Sequence, residues 1–132
     1  MTLDLARQSY SRAAQAGVVA PEDPHAIIGL TLTELQSSME ALRVAAQNGA
    51  AMPSGPMTRA LAALYLLQNS LDFERGGEIA PALFRVYEYC RVQVVGAFTR
   101  EAEDPQGLEK AISFIASLRS AWSEIKERTA AE

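Results

Sequence analysis

Ser70-Leu71-Asp72-Phe73-Glu74-Arg75-Gly76-Gly77-Glu78-Ile79-Ala80-Pro81-Ala82-Leu83-Phe84-Arg85-Val86-Tyr87-Glu88-Tyr89 is the stretch on which the reading of this chain turns. It closes one helix and opens another. Leu71 and Phe73 end an apolar run, Gly76 supplies the positive-φ backbone that a helix C-terminus favours, and Gly77 lets the chain turn without a side-chain clash. Glu78 falls in the next first turn, where a carboxylate suits the positive helix end. Pro81 sits early enough that its missing N–H has no intrahelical partner to lose. The stretch therefore predicts a tight helical hairpin with Asp72, Gly76 and Gly77 as its hinge.

Outward from the hinge, apolar residues recur at three- and four-residue intervals, and no segment alternates strictly as a strand would. Asp23 caps a first helix over about Pro24 to Gln47, with Ile28, Leu32, Leu35, Met39, Leu42 and Ala46 on one face. The breaker-rich Asn48 to Pro56 makes a loop before a second helix over about Met57 to Phe73, with Leu61, Leu64, Leu67 and Leu71 inward. A third helix runs to about Arg100 on a seam of Ile79, Leu83, Val86, Cys90, Val94 and Ala97. Asp104-Pro105 opens a fourth, with Leu108, Ala111, Ile115, Leu118, Trp122 and Ile125 inward. The fold class is all-α, an antiparallel up-and-down four-helix bundle over residues 23–132. Residues 1–22 carry too few apolar side chains for a core, so a loosely held arm is expected there, with Tyr10 on it.

With 132 residues, 48% of them hydrophobic, the chain suits one domain with a useful core. Its net charge of −4 and scattered basic residues argue against nucleic acid. One cysteine allows no internal disulfide, and the first residues lack a basic leader and an apolar run, so a cytoplasmic protein is expected. The apolar run Leu61 to Leu67 is far short of the roughly 20 residues that cross a bilayer, which speaks against membrane insertion. Catalytic chemistry finds no foothold. His25 is the single histidine and reads as satisfied or solvent-facing; Cys90 lies on an inward seam; Glu101, Glu103 and Asp104 lack the ligand pattern of a calcium loop. No phosphate-binding glycine loop or nucleophile motif is present, so neither an enzyme, a cofactor nor a metal is expected.

Two lines of apolar residues fall off the seams: Leu66 and Phe73 on the second helix, and Phe84, Val92 and Val95 on the third. They call for a cover. Three covers are open: the arm with Tyr10, a second copy in a homodimer, as in a self-associating adaptor, or an amphipathic partner helix gripped at helical spacing.

The chain resembles the flagellar export chaperone family FliS. The resemblance rests on Tyr10, on Pro24 at a helix start and on the Leu71 to Tyr89 block with its Leu-Asp, Gly-Gly-Glu-Ile-Ala and Leu-x-x-Tyr-x-Tyr, whose motif residues include Ile79, Leu83 and Tyr87. It also rests on Leu118-Arg119-x-x-Trp122. Leu30-Thr31-Leu32-Thr33-Glu34 stands where the family usually has Met-Leu-Tyr-Asp-Gly, which marks a divergent member. The resemblance implies a cytoplasmic chaperone that binds the disordered C-terminal segment of flagellin, keeps it unpolymerised and helps deliver it for export. Other flagellar export components are implied as further partners. It also implies an arm that covers the binding groove in the free protein, with Tyr10 as a removable plug, and it favours the partner-helix reading of the two apolar lines.

Overall fold

The computed structural model describes residues 23–131, the last six as helix backbone only. Four α-helices account for most of them: α1 Pro24–Gln47, α2 Ser54–Asn69, α3 Ile79–Thr99 and α4 Gly107–Ala131. The arm expected over residues 1–22, Tyr10 included, lies outside the described residues.

The helix ends follow from local chemistry. At α1 the Asp23 side chain accepts the backbone N–H of His25 at 3.0 Å, and Pro24 takes the first helical position, where no N–H is needed. Gly49, at φ +64°, turns the chain out of the helix. The second helix starts three residues earlier than the breakers predict, at Ser54, because Pro56 then falls within the first turn and costs no hydrogen bond. It also stops four residues short of Phe73. The Asn69 side-chain amide donates to the Tyr65 carbonyl and the Ser70 hydroxyl to that of Leu67, both at 2.8 Å, so polar side chains take up carbonyls that a further turn would have used. The last helix begins at Gly107 rather than at Pro105. Asp104 accepts from the backbone N–H of Gln106 with its side chain, at 2.9 Å, and from that of Gly107 with its carbonyl, at 3.0 Å.

Contacts across the helix ends fix the topology. The guanidinium of Arg100, a left-handed residue at φ 60° that caps α3, donates to the Ala50 carbonyl at 2.7 Å, and Gln47 reaches Glu109 at 3.4 Å. These bonds bring together the ends of α1 and α3 and the start of α4. At the opposite end the indole N–H of Trp122 donates to the His25 carbonyl at 2.7 Å, which joins the last turns of α4 to the first turn of α1. α1 and α3 each pack on α2 and α4 and touch across the middle, while α2 and α4 do not meet among the described residues. The result is the antiparallel up-and-down bundle read from the sequence.

Leu32, Leu35, Met39 and Leu42 of α1 meet Ala60, Ala63, Leu64 and Leu67 of α2, Tyr87, Cys90 and Val94 of α3, and Leu108, Ala111, Ile112 and Ile115 of α4. Burial of one such leucine or isoleucine is worth about 1.5–3 kcal/mol, and the alanines let α2 approach closely. Ile28, Leu61, Leu71, Leu83, Val86, Ala97, Leu118 and Trp122 pack half-buried around that core. Three seam assignments fail: Ala46 is exposed, Ile79 is 69% exposed and Ile125 is 49% exposed. Ile79 opens α3 and Ala46 lies in the last turn of α1, and each borders a hollow between the helices rather than the packed core. Ile27, Tyr87 and Ile112, which the seams left out, are buried instead.

Candidate binding groove

The α2–α3 connection is built around Asp72. Its side chain accepts the backbone N–H groups of Glu74 and Arg75, both at 3.0 Å, and its carbonyl accepts that of Gly76 at 2.8 Å. The two hinge glycines have the reverse of the roles their order suggests. Gly77, not Gly76, carries the positive φ, at +53°, and has open space where a Cβ would stand. Gly76 is the one without room: a Cβ there would lie 2.6 Å from the Asp72 carbonyl oxygen and 2.9 Å from the Cβ of Ala80. A close approach of backbone to backbone therefore requires Gly76, and a left-handed turn favours Gly77.

This connection borders an open groove of about 480 Å³ at one end of the bundle. α1 contributes Pro24, His25 and Ile28. The connection contributes Leu71, Asp72, Arg75 and Gly76, α3 contributes Ile79, Ala80, Leu83 and Tyr87, and α4 contributes Trp122. Except for Gly77, every residue singled out as structural motif in the sequence borders this groove: Pro24, Leu71, Asp72, Gly76, Ile79, Leu83, Tyr87 and Trp122. His25 is neither free nor satisfied. Its ring stacks on Trp122 at 4.4 Å and 10°, and both ring nitrogens are sealed from water without a hydrogen-bond partner among the described residues. The stack and the indole hydrogen bond fix one wall. Asp72 and Arg75, 3.9 Å apart, are too exposed for their attraction to add much stability.

Ile79, which lines the groove, is largely exposed; Phe73 and Phe84 do not line it, but meet edge to face at 6.1 Å while each keeps a large exposed area. Because α2 ends at Asn69, Phe73 does not continue a helical line from Leu66; the connection swings it onto Phe84 instead. Leu66 and Val95 are half-buried and Val92 is 51% exposed, and none of the three lines the groove. Along α3 the line Phe84, Val92, Val95 is interrupted at Glu88, which accepts from Gln68 of α2 at 2.9 Å and from the Arg91 guanidinium. Arg91, and then Gln68, hold the Glu88 carboxyl below the usual carboxylate range. The expected pair of apolar lines is thus an exposed aromatic pair followed by a polar bridge.

Sequence reasoning missed a second aromatic contact. Tyr89 of α3 meets Phe114 of α4 edge to face at 5.8 Å, with Phe114 49% exposed. Its one signal is that Phe114 immediately precedes the seam residue Ile115. At the far end of the bundle a smaller hollow of about 280 Å³ is bordered by Arg43, Arg100, Asp104 and Glu109, a mixed set of charges that suits water better than an apolar guest.

Cys90 is sealed in the core, and burial pushes its thiol up to about 12, which leaves no thiolate for chemistry. Among the described residues no group of three or more His, Cys, Asp or Glu side chains could hold a metal, and no helix is long and apolar enough to cross a membrane. What the groove offers is shape, apolar area and a few hydrogen-bonding groups, which suits a bound polypeptide segment.

The comparisons with known proteins agree in direction. Residues 6–129 match the family described as flagellar protein FliS. A flagellar secretion chaperone FliS of Vibrio cholerae is 28% identical over 119 residues, 89% of this chain and 86% of that protein. One of Salmonella typhimurium is 25% identical over 125 residues, 92% and 90% of the two chains, and FliSB of Pseudomonas aeruginosa is 27% identical over 121 residues, 91% and 94%. No solved structure matches.

Proposed function

From the premise that this chain belongs to the FliS family of flagellar secretion chaperones, which are not catalysts, we propose that its groove receives the disordered C-terminal segment of flagellin. The observation that carries this reading is the gathering of residues from three helices and one connection, far apart in sequence, around a single apolar groove. A segment whose apolar helical faces are meant for the filament interior would otherwise associate prematurely. An apolar groove, with an exposed aromatic pair on the adjoining connection and helix, can hold it until export, and the segment folds as it binds.

Phe73 and Phe84, exposed and in contact with each other outside the groove lining, extend the client contact beyond it. Leu66, Val92 and Val95 serve a longer client that runs along the α2–α3 side past the Gln68–Glu88 bridge. Tyr10, on the segment that leads into Asp23 at the mouth of the groove, is the plug that the client displaces, so that free chaperone does not stick to other apolar surfaces. The protein works in the cytoplasm and hands its client to the other components of the export apparatus.

Calorimetric titration of the 132-residue chain with the C-terminal segment of flagellin from the same organism tests the reading, with the N-terminal segment as control. Tight binding confined to the C-terminal segment, with a large negative heat-capacity change, is the expected result. No binding to either segment, together with a dimer at low concentration, would turn the reading to the self-associating adaptor. Phe84→Asp is the local control: unchanged affinity would move the client off this aromatic pair.

A further inference from the structure

We propose that Tyr87 determines specificity in this groove, its hydroxyl donating a hydrogen bond to a side-chain carboxamide on the otherwise apolar face of the bound flagellin segment. The proposal rests on the flagellin reading above and names the chemistry by which the groove recognises its client.

The ring of Tyr87 belongs to the core: it is 3% exposed and packs within the main apolar cluster, yet it reaches the groove. A phenylalanine ring would fill that space equally well, so packing does not require the hydroxyl. Nor do the described residues use it. Among the described residues the hydroxyl makes no hydrogen bond, and it is not among the polar atoms sealed from solvent, which are the two ring nitrogens of His25 and the hydroxyl of Ser38. A hydroxyl that reaches solvent without a protein partner is left to water, which a carbonyl arriving in the groove can replace. Desolvation, and secondarily the neighbouring Cys90, push its pKa up to about 12, so it stays protonated and able to donate across the physiological range.

The surroundings select the acceptor. A carboxylate would lose its water against Ile28, Leu71, Ile79 and Leu83, and would approach the Asp72 carboxylate. Serine and threonine hydroxyls on a helical client tend to bond back to their own helix, and the main-chain carbonyls of a helix are already engaged. The side-chain carboxamide of Asn or Gln carries a free carbonyl and no charge.

The test is a titration of wild-type and Tyr87→Phe chains with the C-terminal flagellin segment, in its native form and with each Asn or Gln replaced in turn by Leu or Met. Tyr87→Phe is expected to melt no lower than wild type while binding about five- to tenfold more weakly, the worth of one hydrogen bond. One carboxamide replacement in the client should cause a similar loss, and combining it with Tyr87→Phe should add nothing further. Equal binding by wild type and Tyr87→Phe would overturn the proposal alone, as would replacements that are all additive with Tyr87→Phe. A lowered melting temperature would make the role of the hydroxyl structural and overturn it too. Failure of the wild-type chain to bind would remove the flagellin reading and this proposal with it.

Discussion

Alanine and asparagine at the two hinge glycines should reverse their order of tolerance. At position 76 the obstacle is steric. The Asp72 oxygen, 2.6 Å from where a Cβ would stand, is held by the hydrogen bond from Gly76 itself, and the Asp72 side chain is pinned by two more backbone donors. Ala80, 2.9 Å away, is buried and cannot retreat. Overpacking of this kind costs about 1–3 kcal/mol, and with both neighbours fixed the upper half of that range is expected for Gly76→Ala. At about 4 °C per kcal/mol for a domain of roughly 100 residues, the melting temperature should fall by about 8–12 °C. Gly76→Asn, which adds more atoms to the same space, should be worse. At position 77 the obstacle is conformational: φ is +53° and nothing lies within 4 Å of an added Cβ. Alanine there pays about 1–2 kcal/mol for the left-handed backbone, and asparagine less, because its side chain bonds locally in that conformation. Thermal and urea unfolding of the four variants followed by far-ultraviolet circular dichroism gives the ranking directly. The expected order is Gly77→Asn, Gly77→Ala, Gly76→Ala, Gly76→Asn from most to least stable. A Gly76→Ala chain as stable as wild type, or asparagine better than alanine at both positions, would refute the assignment of steric and conformational roles.

The remaining predictions concern the groove wall, the core thiol and two surface carboxylates. Trp122→Phe should lose about 1 kcal/mol through the indole bond to the His25 carbonyl, and Trp122→Ala about 2–3 kcal/mol since the side chain is only half-buried, both measured by urea unfolding. Because Trp122 is the single tryptophan and borders the groove, client binding should also change the fluorescence of the native protein. Cys90, with its thiol pushed up to about 12, should react with a thiol reagent only as fast as the bundle opens, so the rate should rise steeply with urea, whereas a rate independent of urea would place the thiol at the surface. The carboxyls of Glu88, held down by Arg91 and Gln68, and of Asp104, held down by Lys110 and the Gln106 N–H, titrate below their unfolded values. Their stabilisation is therefore complete above the ordinary carboxylate range and is lost as pH falls through the lower folded values, so Glu88→Gln and Asp104→Asn should each lower the melting temperature slightly at neutral pH, leave it little changed in acid, and so reduce its acid sensitivity.

How far the sequence could be read depended on the range over which each cause acts. α1 was legible from end to end, because Asp23 and Pro24 start it and Asn48 and Gly49 stop it through bonds a few residues long. α2 was not, since Leu71 and Phe73 keep the apolar period past its end; the stop lies in Asn69 and Ser70, whose side chains take the last carbonyls, a use of polar residues that periodicity does not register. The hinge pair was visible as Gly-Gly, but which glycine needs space and which needs a positive φ depends on where Asp72 puts its carbonyl. The departure at residues 30–34 is absorbed locally, with Leu32 in the core, the Thr31 and Thr33 hydroxyls bonded to carbonyls four residues back and Glu34 paired with Arg59 at 3.1 Å. The groove itself was beyond any local pattern. Its wall joins His25 to Trp122 across 97 positions, and its floor is a tyrosine that the helical seam passed over. The family motifs marked these residues without saying whether each serves the fold or the client. A physical criterion gives a testable division: Asp72 and Gly76 are held by contacts inside the protein, so their replacement should destabilise it. Phe73, Phe84 and the Tyr87 hydroxyl leave area or a hydrogen-bonding group without a partner among the described residues, so on the proposed reading their replacement should cost binding while the bundle stands.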